Sequence, residues 1–163
     1  MKRIGLLSDT HGYLHPHIFK HFKECDEIWH AGDIGSPEVL DTLEKFKTTR
    51  AVWGNIDSHD IRIRTTQTLH FECEGIKVMM THIGGHPPKY ATGIKQELLF
   101  HHPDLFICGH SHLLKVQYDH TFHTLHINPG AAGRYGQQLV STLIRFEIDN
   151  GKIDNLEVIE LGK

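Results

Sequence analysis

A single pattern recurs five times along this chain. A short run rich in β-branched or bulky apolar residues stops at a cluster of Asp, His, Asn and Gly. Continuous apolar runs of this length are typical of strands buried on both faces of a sheet. The five segments are RIGLLSDTHG (3–12), EIWHAGD (27–33), RAVWGNID (50–57), IKVMMTH (76–82) and DLFICGHSH (104–112).

Two segments between these runs have the spacing of amphipathic helices. In 36–46, Ser36 is suited to the N-cap and Pro37 to the first helical position. Strands that alternate with helices predict an α/β fold with a largely parallel sheet. The apolar stripes are Val39, Leu40, Leu43 and Phe46 in 36–46, and Ile94, Leu98 and Leu99 in 92–101.

The last third of the chain has a different pattern. The stretches LLKVQYDHTFHTLHIN and LVSTLIRFEIDNGKIDNLEVIEL both have the form of hairpins, and Asn150-Gly151 within the second is a strong tight-turn signal. We therefore expect a mixed fold, parallel in its first part and antiparallel in its last.

Length and composition set broader limits. The 163 residues predict one domain (1–163), and a net charge of −3 provides no overall basic field for a nucleic-acid polymer or an anionic membrane. Three cysteines without CxxC spacing indicate reduced thiols. No signal peptide and no apolar run of membrane-spanning length is evident, so we expect a cytoplasmic protein. Most of the 16 histidines are interpreted as exposed loop residues.

The polar clusters predict a metal site. The carboxyl ends of parallel strands share one edge of a sheet, and ligands bind in the crevice outside it. Oxygen and imidazole ligands together suit Mn, Fe, Zn or Ni better than Ca, and seven groups fit two metals that share a bridging carboxylate. The seven candidates are Asp9, His11, Asp33, Asn55, His82, His110 and His112.

Each motif has a plainer interpretation when it is taken alone. Gly32-Asp33 and Gly54-Asn55 are also ordinary turn sequences, and His82 would also suit a hydrogen-bonded strand end. A nucleophilic serine at Ser8 or Ser111 lacks the surrounding sequence of a nucleophile elbow. The joint order of the motifs, each after an apolar run, favours the metal site.

The series SDTHG, GD, GNID, TH and GHSH, followed by NPG at 128–130, resembles the calcineurin-like metallophosphoesterases. It is most similar to their small, minimal-domain phosphodiesterases of the YfcE type. The resemblance implies a four-layer α/β/β/α sandwich with two mixed central sheets. It also implies that Asp33 bridges two cations, the first held by Asp9, His11, Asp33 and His112 and the second by Asp33, Asn55, His82 and His110.

The sequence departs from the larger members of that superfamily. Ile56 stands where they have a histidine that protonates the leaving group, so the proton must come from water, His86 or Asp57. Ala131 replaces the serine of Asn-Pro-Gly-Ser. His86 follows the glycines 84–85 in a loose loop and is a candidate catalytic residue, with a solvated loop histidine as the alternative. Arg134 is a candidate phosphate contact or an ordinary surface arginine.

The predicted function is metal-dependent hydrolysis of a small phosphate diester by hydroxide held between two divalent ions. Manganese is favoured, with nickel, iron, zinc and magnesium left open. The catalytic candidates are Asp33, Asn55, His82 and His86, and the substrate-binding candidates are Asn55 and Arg134. Alternatives are a monoesterase or protein phosphatase, or a scaffold without turnover like the retromer subunit that resembles this family. Self-association into a homo-oligomer stays open.

Overall fold

A computed structural model describes residues 1–162, and these residues form two five-stranded sheets, a two-stranded ribbon and four short helices. The strands are β1 Lys2–Leu7, β2 Glu27–His30, β3 Thr48–Ala51, β4 Thr68–Cys73, β5 Ile76–Thr81, β6 Gly85–His86, β7 Lys89–Tyr90, β8 Leu105–Ile107, β9 Lys115–Asp119, β10 Thr124–Asn128, β11 Ser141–Asp149 and β12 Lys152–Leu161. The helices are α1 His17–His21, α2 Pro37–Phe46, α3 His59–Arg62 and α4 Ile94–His101.

Both large sheets are mixed. The first has the order β12-β11-β1-β2-β3, in which β1, β2 and β3 are parallel and the last two strands of the chain pair antiparallel. The second has the order β4-β5-β8-β10-β9, with a parallel centre of β5, β8 and β10 and an antiparallel strand at each edge. The expected parallel region is therefore divided between two sheets, because each sheet contains three of the parallel strands.

Three groups of buried side chains define the layers. Trp29 and Phe146 of the first sheet pack against Met80 and Ile107 of the second, so a core lies between the sheets. A second group joins the first sheet to α1 and α2, and a third joins Met79 and neighbouring residues of the second sheet to α4. The order of layers is α/β/β/α, and the fold predicted from the resemblance is confirmed.

The two predicted helices form, with one error in their apolar stripes. Ser36 has the extended backbone of an N-cap but its side chain makes no capping hydrogen bond, and Pro37 begins α2. Helix α4 begins at Ile94, after Gly93, and buries Ile94 and Leu98. Leu99 was assigned to that stripe, but its side chain is 60% exposed. The assignment is wrong because a residue directly after Leu98 points about 100° away around the helix.

The third apolar run also differs from its prediction. The strand there is β3, which starts at Thr48 and lies at the edge of the first sheet, where its residues are half-buried or exposed. The buried Val52 comes after the strand, in a single bridge to Thr66. Because none of the side chains of β3 is fully buried, the prediction of a strand buried on both faces is wrong here.

The two hairpins at the end of the chain are confirmed. β9 pairs with β10, and β11 pairs with β12. Asn150 and Gly151 have φ of 48° and 79°, the left-handed pair that a type I′ turn requires. Among the residues that the structure describes, no helix has the length and apolar character needed to cross a membrane.

Candidate metal centre

The seven predicted ligands come from the carboxyl-end loops of both sheets. Loops of the first sheet carry Asp9, His11, Asp33 and Asn55, and loops of the second carry His82, His110 and His112. Their ligand atoms form two adjoining groups, so the structure brings all seven side chains to one place. The first group is Asp9, His11 and His112; the second is Asp33, His82 and His110, with Asn55 bonded to His110.

The shortest approaches join carboxylate oxygens to imidazole nitrogens. In the first group, His112 Nε2 lies 3.2 Å from Asp9 Oδ1. In the second, His82 Nε2 lies 3.2 Å from Asp33 Oδ2. Asp33 Oδ2 is also 3.5 Å from His11 Nε2, so this one oxygen faces both groups. That position suits a carboxylate shared between two cations.

Three buried atoms at this place make no hydrogen bond of good geometry, in spite of these short approaches: Asp9 Oδ1, His11 Nε2 and His82 Nε2. Buried polar atoms are almost always satisfied, so three unsatisfied atoms that face one another indicate a place where a ligand can bind. The other Asp9 oxygen is fully engaged, because Ser8 Oγ donates to Oδ2 at 2.6 Å and the His110 N–H at 3.2 Å. Mixed imidazole and carboxylate donors with free lone pairs fit divalent transition metals.

The backbone of the ligand residues is unusual. Asp9, His11, Asp33, His110 and His112 all have positive φ, between 47° and 73°, although none is glycine. Such residues are uncommon, and they cluster at sites where the surrounding structure fixes a strained conformation. Backbone bonds do this here: the Asp9 N–H donates to the Gly32 carbonyl at 2.9 Å, and the His11 N–H to the Asp33 carbonyl at 3.0 Å.

A glycine beside Asp33 is required by close approach. A Cβ atom on Gly54 would overlap both the Asp33 carboxylate oxygen Oδ1 and the Asp33 backbone nitrogen. The Ile56 N–H, two residues later, donates to the same Oδ1 at 3.2 Å. The loop after β3 therefore holds one oxygen of Asp33 and leaves Oδ2 for the imidazoles.

Three of the imidazoles are held by bonds through Nδ1: that of His110 to Asn55 Oδ1, given above, and those of His82 and His112. The Nδ1–H of His82 donates to the Ala31 carbonyl at 2.8 Å, and that of His112 donates to Gln138 Oε1 at 3.0 Å. Gln138 is oriented by its amide, which donates to the Tyr135 carbonyl at 2.7 Å. Such bonds fix the tautomer that presents Nε2 to a metal. Gln138 was missed in the sequence, because no motif marks it.

Charge and burial shift the pKa of four of these groups. Burial alone would raise the pKa of Asp9, but His11, His112 and His82 together lower it well below its usual value. The pKa of Asp33 is also lowered, because the effect of His82 outweighs that of burial, which would raise it. The pKa of His82 is raised, since Asp33 and Asp9 outweigh its burial, and Asp9 raises the pKa of His112. Both aspartates are therefore charged, as metal ligands must be.

Asp57 does not have the surroundings of a leaving-group acid. Its buried carboxylate accepts three backbone N–H bonds, from Ile34 at 3.1 Å, Gly35 at 2.9 Å and Gly54 at 2.8 Å. These bonds join the loops that carry Asp33 and Asn55. Asp57 therefore positions the two loops, and the alternative that it donates a proton is not supported by its contacts.

The other two candidates, His86 and Arg134, lie outside the two groups of ligand atoms. His86 is exposed in β6, and its Nδ1–H donates to the Pro87 carbonyl at 3.0 Å. The Arg134 guanidinium lies 3.8 Å above the Tyr13 ring. Both Arg134 and Tyr13 line a cavity of about 280 Å³, whose wall also includes Gln138. Gln138, which lines this cavity, also accepts the hydrogen bond of His112, so the cavity lies next to the metal centre.

Two histidines outside the ligand set, His30 and His126, are fully buried, whereas most histidines were expected in exposed loops. His30 accepts the Gly32 N–H at Nδ1 and bonds Thr10 Oγ1 through Nε2 at 2.9 Å, and burial lowers its pKa to about 4. Burial also lowers the pKa of His126 to about 4. His30 thereby supports the turn that carries Asp33.

Comparison with known proteins identifies the family. Residues 1–151 match the model of the calcineurin-like phosphoesterase superfamily domain, and the chain belongs to that superfamily. A probable metallophosphoesterase of Methanothermobacter thermautotrophicus is 32% identical over 67% of this chain. One of Methanocaldococcus jannaschii is 31% identical over 78%. The matched stretches span 66% and 67% of the two relatives.

Solved structures share the whole fold. A novel archaeal phosphodiesterase has a TM-score of 0.74 at 22% identity, with 98% of this chain and 99% of that one covered. Vps29 of Chaetomium thermophilum has a TM-score of 0.77 at 12% identity, with coverage of 99% and 97%. The family predicted from the motifs is confirmed, and its structural relatives include both an enzyme and Vps29 proteins.

Proposed function

We propose that this protein is a metal-dependent phosphodiesterase that hydrolyses small phosphate diesters. The observation that carries the proposal is the set of three buried, unsatisfied ligand atoms, one on each of Asp9, His11 and His82, with a second charged aspartate, Asp33, beside them. Membership of a phosphoesterase superfamily supports the reaction class, and the archaeal phosphodiesterase with the same fold supports the diester.

Asp9, His11, Asp33 and His112 would hold one divalent ion, and Asp33, Asn55, His82 and His110 the other. Two such ions supply a hydroxide at neutral pH and neutralise the charge on the phosphate oxygens. The mixed donor set favours manganese, with nickel, iron, zinc or magnesium as alternatives. The Nδ1–H bonds of His82 to the Ala31 carbonyl and of His112 to Gln138 Oε1 would leave Nε2 of each ring to bind a metal.

The surroundings of the site support a phosphate diester as the substrate, with one ester group in each of two cavities. The cavity beside Arg134 and Tyr13 borders the first group of ligands through Gln138. A second cavity of about 210 Å³ contains Asn55 and His82 of the second group, and its wall includes Trp53 with the Arg62 guanidinium 4.0 Å above its ring. Each cavity thus offers an arginine on an aromatic ring, a surface that suits a planar or anionic group.

In the proposed reaction, the oxygen of water would form a bond to phosphorus and the bond to one ester oxygen would break. The products would be a phosphate monoester and an alcohol.

Asn55 faces the second cavity and would bind both metal and phosphate. His86 would be a candidate for protonating the leaving group, since it lies on the exposed ribbon that follows His82. Arg134 would contact the arm in the first cavity. The three buried, free cysteines support a reducing, cytoplasmic location.

A second candidate function is a protein-binding scaffold. The structural relatives named Vps29 favour it, as does the edge strand β9 with its approach, where Leu113, Leu114, Val116 and Tyr118 are exposed. A scaffold needs no unsatisfied ligand atoms, so the metal centre favours the enzyme.

The deciding experiment is a turnover screen of diesters and monoesters, with Mn, Ni, Zn and Mg supplied separately to metal-stripped protein. We expect hydrolysis of diesters that requires added metal and stops with chelator. Asp33→Asn with an unchanged circular dichroism spectrum is the control for contaminating phosphatase. Absence of turnover with every metal, in protein shown to bind two ions, would favour the scaffold.

A further inference from the structure

Three side chains on the far side of the second sheet form a cluster that the phosphoesterase site does not use. His70 lies in β4, and Glu97 and His101 lie one turn apart in α4. His70 pairs in register with Met79, which packs against α4, so its side chain is on the helix-covered face of the sheet. We name these three residues the β4–α4 cluster.

The atoms of the β4–α4 cluster converge. His101 Nε2 is 3.1 Å and His70 Nε2 is 3.8 Å from the same carboxylate oxygen, Glu97 Oε2. All three ligand atoms lie within 4.8 Å of one another. A tetrahedral zinc site with bonds of about 2.0–2.1 Å places neighbouring ligand atoms about 3.3 Å apart. Rotations of these side chains would bring the three atoms to metal-binding distance.

The two imidazole rings are stacked, with centroids 3.8 Å apart and planes 23° from parallel. The lone pairs of stacked rings lie in the ring planes and point side by side, so a metal that binds both imidazoles requires one ring to turn out of the stack.

From this geometry we infer that His70, Glu97 and His101 form a second, surface metal site that takes a zinc-class divalent transition metal. Two imidazoles and one carboxylate favour Zn, Ni, Co or Cu over Mg and Ca. Water fills the remaining position, for which a groove of about 190 Å³ beside His70 and His101 has room.

The inferred site would fasten helix to sheet. Helix α4 has eight residues and buries only Ile94 and Leu98 of its own side chains. A metal bound to Glu97 and His101 on the helix and to His70 on the edge strand would join the two elements, and it would stabilise the folded chain because the unfolded chain lacks the site.

The test is zinc titration of the full chain by calorimetry, with the double variant His70→Asn/His101→Asn. We expect the double variant to bind one zinc equivalent fewer than the wild type while it retains turnover with manganese. His102→Asn is the matched control: it removes the next histidine, and asparagine tolerates the left-handed backbone of that position. The control should keep the full number of equivalents.

Histidine-selective nitrogen NMR of the wild-type chain gives a second measurement that needs no variant. Zinc should shift the Nε2 resonances of His70 and His101. Equal zinc stoichiometry in the wild type and the double variant would overturn the inference, as would resonances of His70 and His101 that do not change. If the double variant fails to fold, Glu97→Gln replaces it and should likewise lose one equivalent.

Discussion

The metal centre and the residues around its mouth are held in different ways. Asp9, Asp33 and His82 are buried, and hydrogen bonds and glycine contacts fix the loops that carry them. His86, Arg134 and Tyr135 are exposed, and their side chains contact the Pro87 carbonyl, the Tyr13 ring and the His11 ring, respectively. Several contacts therefore hold the buried ligands, while few hold the exposed residues that would contact a substrate.

The largest effect is expected at the shared carboxylate. Asp33→Asn should lower turnover by about 10³-fold or more, because Asp33 Oδ2 faces both groups of ligands. His11→Ala should cost clearly less, since His11 would serve one cation. The measurement is kcat at saturating manganese. Equal losses in the two variants would contradict the shared position of Asp33.

Substrates with different leaving groups should distinguish the role of the metal centre from that of the residues around it. Ile56 offers no proton, so we expect bis(p-nitrophenyl) phosphate to be hydrolysed far faster than glycerol phosphate, whose alkoxide needs protonation. Ile56→His should help alkyl esters more than nitrophenyl esters, by up to about 10²-fold.

The measurement is the ratio of kcat/KM for the two compounds in wild type and variant. A wild-type preference for glycerol phosphate would reveal an efficient acid, and His86→Ala would then show whether His86 provides it.

Gln138 links the two regions, because it bonds His112 from the loop that carries Arg134. Gln138→Leu should lower metal affinity by roughly 10–100-fold, the usual effect of losing a bond that orients a ligand. Gln117→Leu, on the exposed face of β9, is the matched control and should leave affinity unchanged. The measurement is the manganese concentration at half-maximal activity, and an identical value for both variants would remove Gln138 from this role.

The pH dependence of stability should change direction when metal is bound. In metal-free protein the pKa values of His82 and His112 are raised, so their contribution is present below about pH 6.5 and is lost as the pH rises through the folded values. Metal binding requires the neutral imidazoles and strengthens as the pH rises. Between pH 6 and 8, we expect the Tm to fall with pH in chelator and to rise with pH in manganese.

At lower pH, activity should be lost before the fold. Protons should displace metal near pH 5.5, whereas the buried His30 and His126 have pKa values lowered to about 4. Their neutral forms contribute stability that declines as the pH falls from about 6.5 towards 4. Circular dichroism that collapses at the same pH as activity would contradict this order.

The smallest effect is expected at Arg134. Arg134→Ala should raise KM for a diester less than tenfold and change kcat little, because the guanidinium is exposed and a charged contact in water contributes about 1 kcal/mol or less. Lys152→Ala, far along the chain on β12, is the control for charge alone. A large fall in kcat would place Arg134 at the reacting phosphate.

The sequence predicts the site best where a ligand residue directly follows a strand. Asp9, Asp33 and His82 follow apolar runs directly, so strand topology alone predicts that they meet. Gln138 could not be predicted in the same way, because its bond to His112 spans 26 residues and depends on loop conformation. Leu99 and the run 50–57 were misjudged for a related reason: periodicity does not reveal which face of a helix or which edge of a sheet has a neighbour.

The ligands also span the seam between the two sheets. The first sheet contributes Asp9, His11, Asp33 and Asn55, the second contributes His82, His110 and His112, and each proposed cation takes ligands from both. Cation binding would thus link the two sheets, and a full set of ligands would exist only after the sheets have packed together. The affinity for the cations would therefore depend on the packing between the two sheets as well as on the ligands. A change at Trp29 or Met80, in the core between the sheets, would alter it.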